Sequence, residues 1–133
     1  MKRTSNLRIA LFILTIAFGL ESCAQVSETD LQQLVGVWKL DMSPQDTTDE
    51  NFARMEITSV TANSMEGEFY RRTVKMREGR INTQLGIIYG ALISGDNSGE
   101  YYSTFYLKDG VLHGTTHARD RGFLAVWTAK KEK

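Results

Sequence analysis

The chain has little cysteine, little proline and no excess of charge of either sign. Its one cysteine, Cys23, lies near the N-terminus, so the rest of the chain has no thiol nucleophile, no disulfide and no CxxC pair for a redox or zinc site. Lys and Arg total 16, as do Asp and Glu. This balance argues against nucleic acid as a partner, because neutralising phosphates needs a clear basic excess. We therefore expect a domain held by packing alone, without a metal or cofactor.

The chain also lacks a hydrophobic run long enough to span a membrane. Its apolar run covers residues 9–20, which would rise only ~18 Å as a helix, against a hydrocarbon core of ~30 Å. Lys2, Arg3 and Arg8 precede this run, which is the charge pattern of an export signal. We therefore predict that residues 1–22 are a removable signal peptide.

A second processing motif follows the apolar run. Leu20-Glu21-Ser22-Cys23 resembles the lipobox of bacterial lipoproteins, with Leu three positions before the cysteine and a small residue directly before it, although Glu21 is unusual there. The resemblance implies cleavage before Cys23, acylation of Cys23 and an anchor in the outer membrane of a bacterial envelope, facing either side. The alternative is ordinary cleavage after Ala24, which would release a soluble periplasmic or secreted protein beginning at Gln25.

The remaining chain has the size and composition of one folded domain. Removing residues 1–22 leaves 13 basic and 15 acidic residues in a chain of 111, a length that one hydrophobic core can organise. Hydrophobic residues make up 41% of the full sequence and charged residues 24%, which favours folding over disorder. We predict that residues 23–29 are the lipidated cysteine and its tether and that residues 30–133 form the domain.

Hydrophobic periodicity predicts an all-β domain after a short helical turn. Residues 29–36 suit one or two helical turns capped by Thr29, which we expect to cover one end of the domain. From Val37 onward apolar residues alternate with polar ones, the pattern of half-buried strands. The expected strands are residues 37–43, 52–60, 66–76, 82–93, 100–108, 111–118 and 123–130.

Seven or eight strands with short connections predict an antiparallel up-and-down barrel. Short connections make neighbouring strands antiparallel, and closing the sheet removes its unpaired edges. Asp109-Gly110 is the strongest hairpin signal. The first and last strands carry Trp38 and Trp127, and we expect these strands to pair and the two indoles to meet near one end of the barrel.

The motif Gly36-Val37-Trp38, set after a helical turn and before an antiparallel meander, resembles the calycin group. Within that group the chain is similar to small lipocalin-like bacterial lipoproteins, which implies a barrel that holds one small molecule. The resemblance also implies an arginine beside the motif tryptophan, and Arg119 or Arg121 is available for that position. Avidins belong to the same group, but Leu40 stands where their biotin-binding Asn follows the motif, so biotin binding is not expected.

The aromatic side chains are the best candidates for a ligand site. We predict non-catalytic binding of a small apolar or amphipathic molecule inside the barrel. Arg71 would share the inward face with Phe69, two positions before it. The predicted apolar walls and polar contacts are Trp38, Phe105 and Trp127, and Tyr89 and Arg71, respectively.

Two alternatives belong to other functional classes. A scaffold lipoprotein with a filled barrel would bind another envelope protein through a contiguous exposed apolar patch. A hydrolase would need Ser103 and either His113 or His117 within ~3 Å on one face. Because no Gly-x-Ser-x-Gly motif surrounds Ser103, we do not expect an enzyme. The two histidines lie ~13 Å apart along a strand, too far to share a metal ion, and we expect both at the surface.

Overall fold

The computed structural model describes residues 25–133, so the predicted signal peptide and Cys23 lie outside the described residues. The described chain begins with a helix, α1 (Glu28–Gln32), followed by eight strands that form one antiparallel sheet. The strands are β1 (Gly36–Asp41), β2 (Phe52–Val60), β3 (Met65–Tyr70), β4 (Glu78–Asn82), β5 (Tyr89–Asp96), β6 (Gly99–Lys108), β7 (Val111–Ala118) and β8 (Phe123–Lys131).

The sheet closes almost completely into a barrel. Its strand order is β3-β2-β1-β8-β7-β6-β5-β4, so the first strand pairs with the last, as predicted. The two edge strands, β3 and β4, approach each other through the isolated bridge Ser64↔Arg80. The amide of Met76 also donates to the carbonyl of Gly67 at 2.8 Å. The all-β, antiparallel up-and-down barrel predicted from the sequence is therefore confirmed.

The predicted strand over residues 82–93 is wrong, because the chain turns in its middle. β4 ends at Asn82, whose side chain accepts a hydrogen bond from the amide of Gln84 at 3.0 Å. Gly86 then takes a φ of +72°, which favours glycine. This turn chemistry overrides the apolar alternation, since an Asx turn satisfies the main chain locally. The strand therefore restarts only at Tyr89, with the opposite side chains facing inward.

The short helix covers one end of the barrel, as expected, but its cap differs from the prediction. Ser27, not Thr29, is the N-cap: its Oγ accepts from the amide of Asp30 at 3.1 Å, and the Asp30 carboxylate accepts from the amide of Ser27 at 2.9 Å. The helix therefore begins within the predicted tether. Leu31 and Leu34 are buried in the core, which fixes the helix to the barrel.

The antiparallel topology gives the barrel two different ends. Because β1 starts directly after α1, every odd strand starts and every even strand finishes at the end that α1 covers, which we call the helix end. The helix end also holds loop 83–88 and the Asp109-Gly110 turn. The opposite end, the open end, holds loops 42–51 and 71–77 and the 3₁₀ turn Arg119–Arg121.

Aromatic side chains fill the middle of the barrel. The Trp127 ring lies 5.9 Å from the Phe69 ring and 6.4 Å from the Phe105 ring, measured between centroids. Gly90 and Gly114 provide room for two of these rings. A Cβ on Gly114 would lie 2.3 Å from Cζ2 of Trp127, and a Cβ on Gly90 would lie 2.2 Å from Cζ of Phe105. The two glycines therefore make room for large rings, and the core is filled at this level.

The two tryptophans occupy different levels of the barrel, so the expectation that they meet at one end is wrong. Trp38 pairs in register with Lys131, four residues beyond Trp127 on β8, an offset of ~13 Å along a strand. The Trp38 indole donates to the carbonyl of Leu34 at 2.8 Å, whereas the Trp127 indole donates to Oγ1 of Thr116 at 2.9 Å. Trp38 therefore belongs to the helix end and Trp127 to the middle.

The contact between Gly114 and Trp127 predicts the effect of one methyl group. We expect Gly114→Ala to lower the free energy of unfolding by roughly 1–3 kcal/mol, since the methyl group must displace a buried indole. Urea unfolding followed by Trp fluorescence measures the change. Ala91→Val is the matched control, because Ala91 faces outward on β5 and has room for two more carbons. Equal stability of Gly114→Ala and the unmodified protein would contradict the packing.

Candidate functional site

The barrel interior keeps a cavity of about 300 Å³ at the open end, which we call the mouth pocket. Inward residues of β2, β3, β6, β7 and β8 form its walls, and the adjoining loop and turn complete its rim. Its lining residues are Met42, Asn51, Phe52, Ala53, Phe69, Tyr70, Tyr101, Thr116, Arg121, Phe123 and Ala125.

The pocket exists because small side chains occupy two inward positions near the open end. On β8, Ala125 follows Trp127 along the inward face in this direction, and on β2 Ala53 follows Met55 in the same way. At these two positions, which line the same cavity, methyl groups stand where the next inward side chains are large. This change in side-chain volume along the inward face is the sequence signal that could have located the pocket. The site residues were predicted from their aromatic character instead, so the pocket was missed.

An ionised carboxylate orders one side of the rim. Asp96 accepts hydrogen bonds from the Tyr70 hydroxyl at 2.9 Å, from the Arg71 guanidinium at 3.0 Å and from the amide of Ser98 at 2.8 Å. Hydrogen bonds from the Ser98 side chain and main chain, and then from Tyr70 and Tyr101, lower the pKa of Asp96 to about 2. Asp96 therefore stays charged at every physiological pH.

Asp96 also holds two of the lining rings in place. The Tyr101 hydroxyl lies 3.3 Å from the Asp96 carboxylate, and the rings of Tyr70 and Tyr101 meet edge to face with centroids 5.2 Å apart. Burial, together with the hydrogen bonds to Asp96 and Tyr101, raises the pKa of Tyr70 to about 12. Tyr70 therefore remains a neutral donor, and this wall of the pocket is formed in advance of any ligand.

The remaining polar groups of the pocket are the buried Thr116 hydroxyl and two exposed side chains, the Asn51 amide and the Arg121 guanidinium. Thr116 Oγ1 accepts from the Trp127 indole and lies 2.8 Å from Oγ of Ser103, so the floor is hydrogen-bonded. The exposed guanidinium of Arg121 lies 4.9 Å from the centroid of the Phe123 ring, within the range of a cation–π contact. Arg121 is the charged residue within the lining. The pocket thus combines apolar walls with the cation Arg121 at its rim, where the Asp96 carboxylate is already paired with Arg71.

Neither arginine implied by the calycin resemblance lies beside the motif tryptophan. Arg119 pairs with Asp120 at 3.3 Å, and Arg121 lies over Phe123, both at the open end. Trp38 lies at the helix end, where Nζ of Lys131 is 5.9 Å from its ring centroid. The expectation is wrong because the strand direction places the two features at opposite ends, and Lys131 is the cation beside this tryptophan.

The five predicted ligand-binding residues do not form one cluster. Trp38, Phe105 and Trp127 are buried in the core, and Trp127 lies one inward position below the mouth pocket. Tyr89 faces outward, because the turn before β5 shifts the inward face to its neighbours. Arg71 also points outward, with 60% of its side chain exposed. Its predicted inward orientation is wrong, because β3 ends at Tyr70 rather than at residue 76.

A second concavity, of about 730 Å³, crosses the outer face of β4 to β8, and we call it the outer groove. Its floor is a row of short side chains paired across the sheet, Ala91, Thr104 and Thr115. A row of larger side chains borders it, in which the Tyr106 and His113 rings stack at 5.1 Å with an interplanar angle of 14°. Tyr89, Phe105 and Trp127 reach this groove, the latter two from beneath its floor.

The hydrolase alternative does not fit this geometry. Ser103 is buried on the inward face and bonded to Thr116, whereas His113 and His117 face outward on β7, as predicted. A nucleophile and a base on opposite faces cannot exchange a proton. Within residues 25–133, no three His, Cys, Asp or Glu side chains are grouped so that they could hold a metal ion. No helix in this described part is long and apolar enough to cross a membrane.

Comparison of the chain with protein-family models, with curated proteins and with solved structures finds no match. The class of this protein is therefore stated from its fold. The protein is a nearly closed, eight-stranded antiparallel up-and-down barrel, compatible with a lipocalin-like fold.

The lowered pKa of Asp96 predicts a dependence of stability on acid. A carboxyl whose folded pKa is below its unfolded value stabilises the native state above the unfolded value, and this contribution disappears as pH falls from about 4 to about 2. We expect Asp96→Asn to be less stable than the unmodified protein by roughly 1–3 kcal/mol at pH 6, with the difference vanishing near pH 2. Urea titrations at a series of pH values measure this convergence.

Asp109→Asn, in the hairpin turn at the helix end, is the matched control for this experiment. Asn tolerates the positive φ of 51° found there. A gap between Asp96→Asn and the unmodified protein that persists unchanged to pH 2 would show that the hydrogen bonds to Asp96 do not depend on its charge.

Proposed function

We propose that the protein is a lipid-anchored envelope protein that binds a small apolar or amphipathic molecule without catalysing its reaction. The observation that supports this proposal is the mouth pocket, an aromatic cavity of about 300 Å³ at one end of an otherwise filled barrel. Ligand pockets occupy ~300–1,000 Å³ and combine apolar walls with a few polar groups. The mouth pocket is at the small end of this range, which favours a small ligand.

The composition of the pocket favours an amphipathic ligand with an anionic head. Phe69, Tyr101 and Phe123 offer apolar contact to the body of a ligand, and Thr116 offers one hydroxyl at the floor. Arg121 at the rim would face the head of a ligand whose body lies inside, where a carboxylate or phosphate would receive charge-assisted hydrogen bonds. Because Asp96 already orders the tyrosines of the wall, little entropy would be lost on binding.

The anchor proposal rests on the lipobox-like residues before Cys23 and on the export signal. The N-terminal segment leaves the domain beside α1, at the helix end, whereas the mouth pocket opens at the opposite end. An anchored protein would therefore present the pocket away from its membrane. This orientation suits capture of a molecule from the surrounding compartment.

Filling the mouth pocket should remove the ligand. We expect native mass spectrometry of the mature protein, isolated from the envelope of cells that make it, to show the added mass of a small molecule. Ala125→Leu, which fills the pocket, should reduce the bound fraction at least tenfold. Ala91→Leu, which fills the outer groove with the same side chain, should leave it unchanged. A protein free of ligand before substitution, or ligand loss with Ala91→Leu instead, would contradict the proposal.

Charge at the rim should distinguish anionic from neutral ligands. We expect Arg121→Gln to weaken binding of the anionic probe anilinonaphthalene sulfonate about 3- to 10-fold, the effect of losing roughly 1 kcal/mol of charge-assisted contact. Binding of the neutral probe phenylnaphthylamine should change less than twofold. Fluorescence titration of the mature protein measures both affinities. Arg72→Gln, an exposed arginine outside the lining, is the control. Equal losses for both probes would contradict a role for the charge.

The mass of the mature chain tests the anchor. We expect a chain that begins at Cys23 and carries the added mass of acyl chains, and we expect Cys23→Ala to remove that mass and to release the protein from the membrane fraction. A mature chain that begins at Gln25 without acyl groups would instead support ordinary secretion.

The outer groove favours a second candidate function, the binding of another envelope protein. It is the larger concavity, and exposed Tyr106 and Val126 contribute apolar surface to it. Under this candidate, Ala91→Leu would abolish co-purification of a partner that Ala125→Leu retains. The two leucine substitutions therefore assign function to one concavity or the other.

A further inference from the structure

Loop 83–88 carries two large apolar side chains that the fold leaves uncovered. Leu85 is 72% exposed and Ile87 is 40% exposed, although other large apolar side chains near this end are buried in the core. The amide of Gly86 donates to the carbonyl of Thr83 at 2.9 Å, which closes the loop into a tight turn. The turn holds both side chains in the loop, outside the hydrophobic core cluster of the barrel.

The N-terminal segment passes directly beside this loop. Gln25 and Val26 line one shallow cavity together with Gly86 and Ile87. Val26 also packs against the core, so the start of the described chain is fixed to the helix end. Cys23 is two positions before Gln25, and two extended residues span at most ~7 Å. Acyl chains on Cys23 would therefore enter the bilayer close to the loop.

We propose that loop 83–88 is a membrane-contact surface: Leu85 and Ile87 insert into the leaflet that holds the acyl chains of Cys23. This inference rests on the proposed lipid anchor. The short tether makes lipid the expected partner of the loop, because an anchored domain with so short a tether cannot move this end of the barrel away from the bilayer. Insertion fixes the barrel upright, with the mouth pocket at the far end.

The charges at this end favour apolar insertion over electrostatic adsorption. Lys108, Lys130 and Lys131 lie there, but Glu28, Asp30 and Asp109 lie there too, so neither sign dominates. Polybasic attraction to anionic lipid needs a clear excess of one sign and weakens as salt screens it. The contact should therefore be equally strong at 50 and 500 mM salt and equally strong on neutral and anionic vesicles.

Depth-dependent quenching tests the proposal in the mature, acylated chain. With Cys23 acylated, Gln84→Cys or Asn97→Cys supplies the free thiol for a nitrobenzoxadiazole label; both positions are exposed, one in loop 83–88 and one at the open end. In phosphatidylcholine vesicles with spin-labelled acyl chains, we expect at least threefold greater quenching at position 84 than at position 97. Leu85→Asp with Ile87→Asp should reduce quenching at position 84 by spin labels deep in the acyl chains, although the anchor still keeps this position nearer the bilayer than position 97.

Leu124→Asp is the matched control, since Leu124 is also a leucine exposed on the barrel, 63% exposed on the outer face of β8. It should leave quenching at position 84 unchanged. Mass spectrometry of the same sample separates the two proposals. Acyl mass with equal quenching at both positions would overturn the membrane contact and leave the anchor intact, whereas absence of acyl mass would overturn both. The fluorescence of the label at position 84 could instead depend on the density of protein on the vesicles and not on the amount of spin-labelled lipid. This result would assign the loop to contact with a second copy of the chain and overturn the proposal.

Discussion

Pairing of the first strand with the last turns this chain from a meander into a barrel. β1 and β8 are joined from Trp38↔Lys131 to Asp41↔Thr128, and beyond them the amide of Glu132 donates to the carbonyl of Val37 at 2.8 Å. These partners are separated by most of the domain, so their pairing costs considerable loop-closure entropy. Burial of the aromatic interior offsets that cost, and without the pairing the inward face of the sheet would lie open to water.

Closure also creates the difference between the two ends. The interior is filled by large rings where Trp127 packs on Gly114, and α1 covers the helix end with Leu31 and Leu34. Near the open end small residues occupy two inward positions, and the ordered carboxylate of Asp96 replaces apolar packing with hydrogen bonds. The cavity therefore lies where small inward residues, Ala53 and Ala125, leave space between the aromatic rings. The proposed ligand binding and the proposed membrane contact use these opposite ends.

Much of the fold was predictable, because alternation along a strand reports directly which side chains face the core. Trp38, Phe105 and Trp127 were expected to face the barrel interior and do so. The prediction failed at residues 83–88, where an apolar alternation continues through a turn set by the Asn82 side chain. Alternation measures only which residues are apolar, and it cannot report that a hydrogen bond from the main chain to Asn82 competes with the strand ladder.

The candidate site was less predictable, because it depends on volumes at one level of the barrel. Ligand contacts were predicted at large aromatic residues. Three of these residues, Trp38, Phe105 and Trp127, fill the core of the barrel instead. The cavity lies beside small residues instead, and small residues mark a cavity only once the residues across the barrel are known. Arg71 illustrates the same limit, since its orientation depends on where β3 ends and on the distant carboxylate of Asp96.

By itself the sequence determined the all-β class, the antiparallel order and the positions of most strands. These depend on residues close together in the chain: the period of two and the turn residues between strands. The tertiary structure alone decided the register of β1 against β8, the separate levels of Trp38 and Trp127, and the position of the cavity. Each of these depends on how side chains from distant strands share one enclosed volume, and packing of that kind is specified only when the barrel closes.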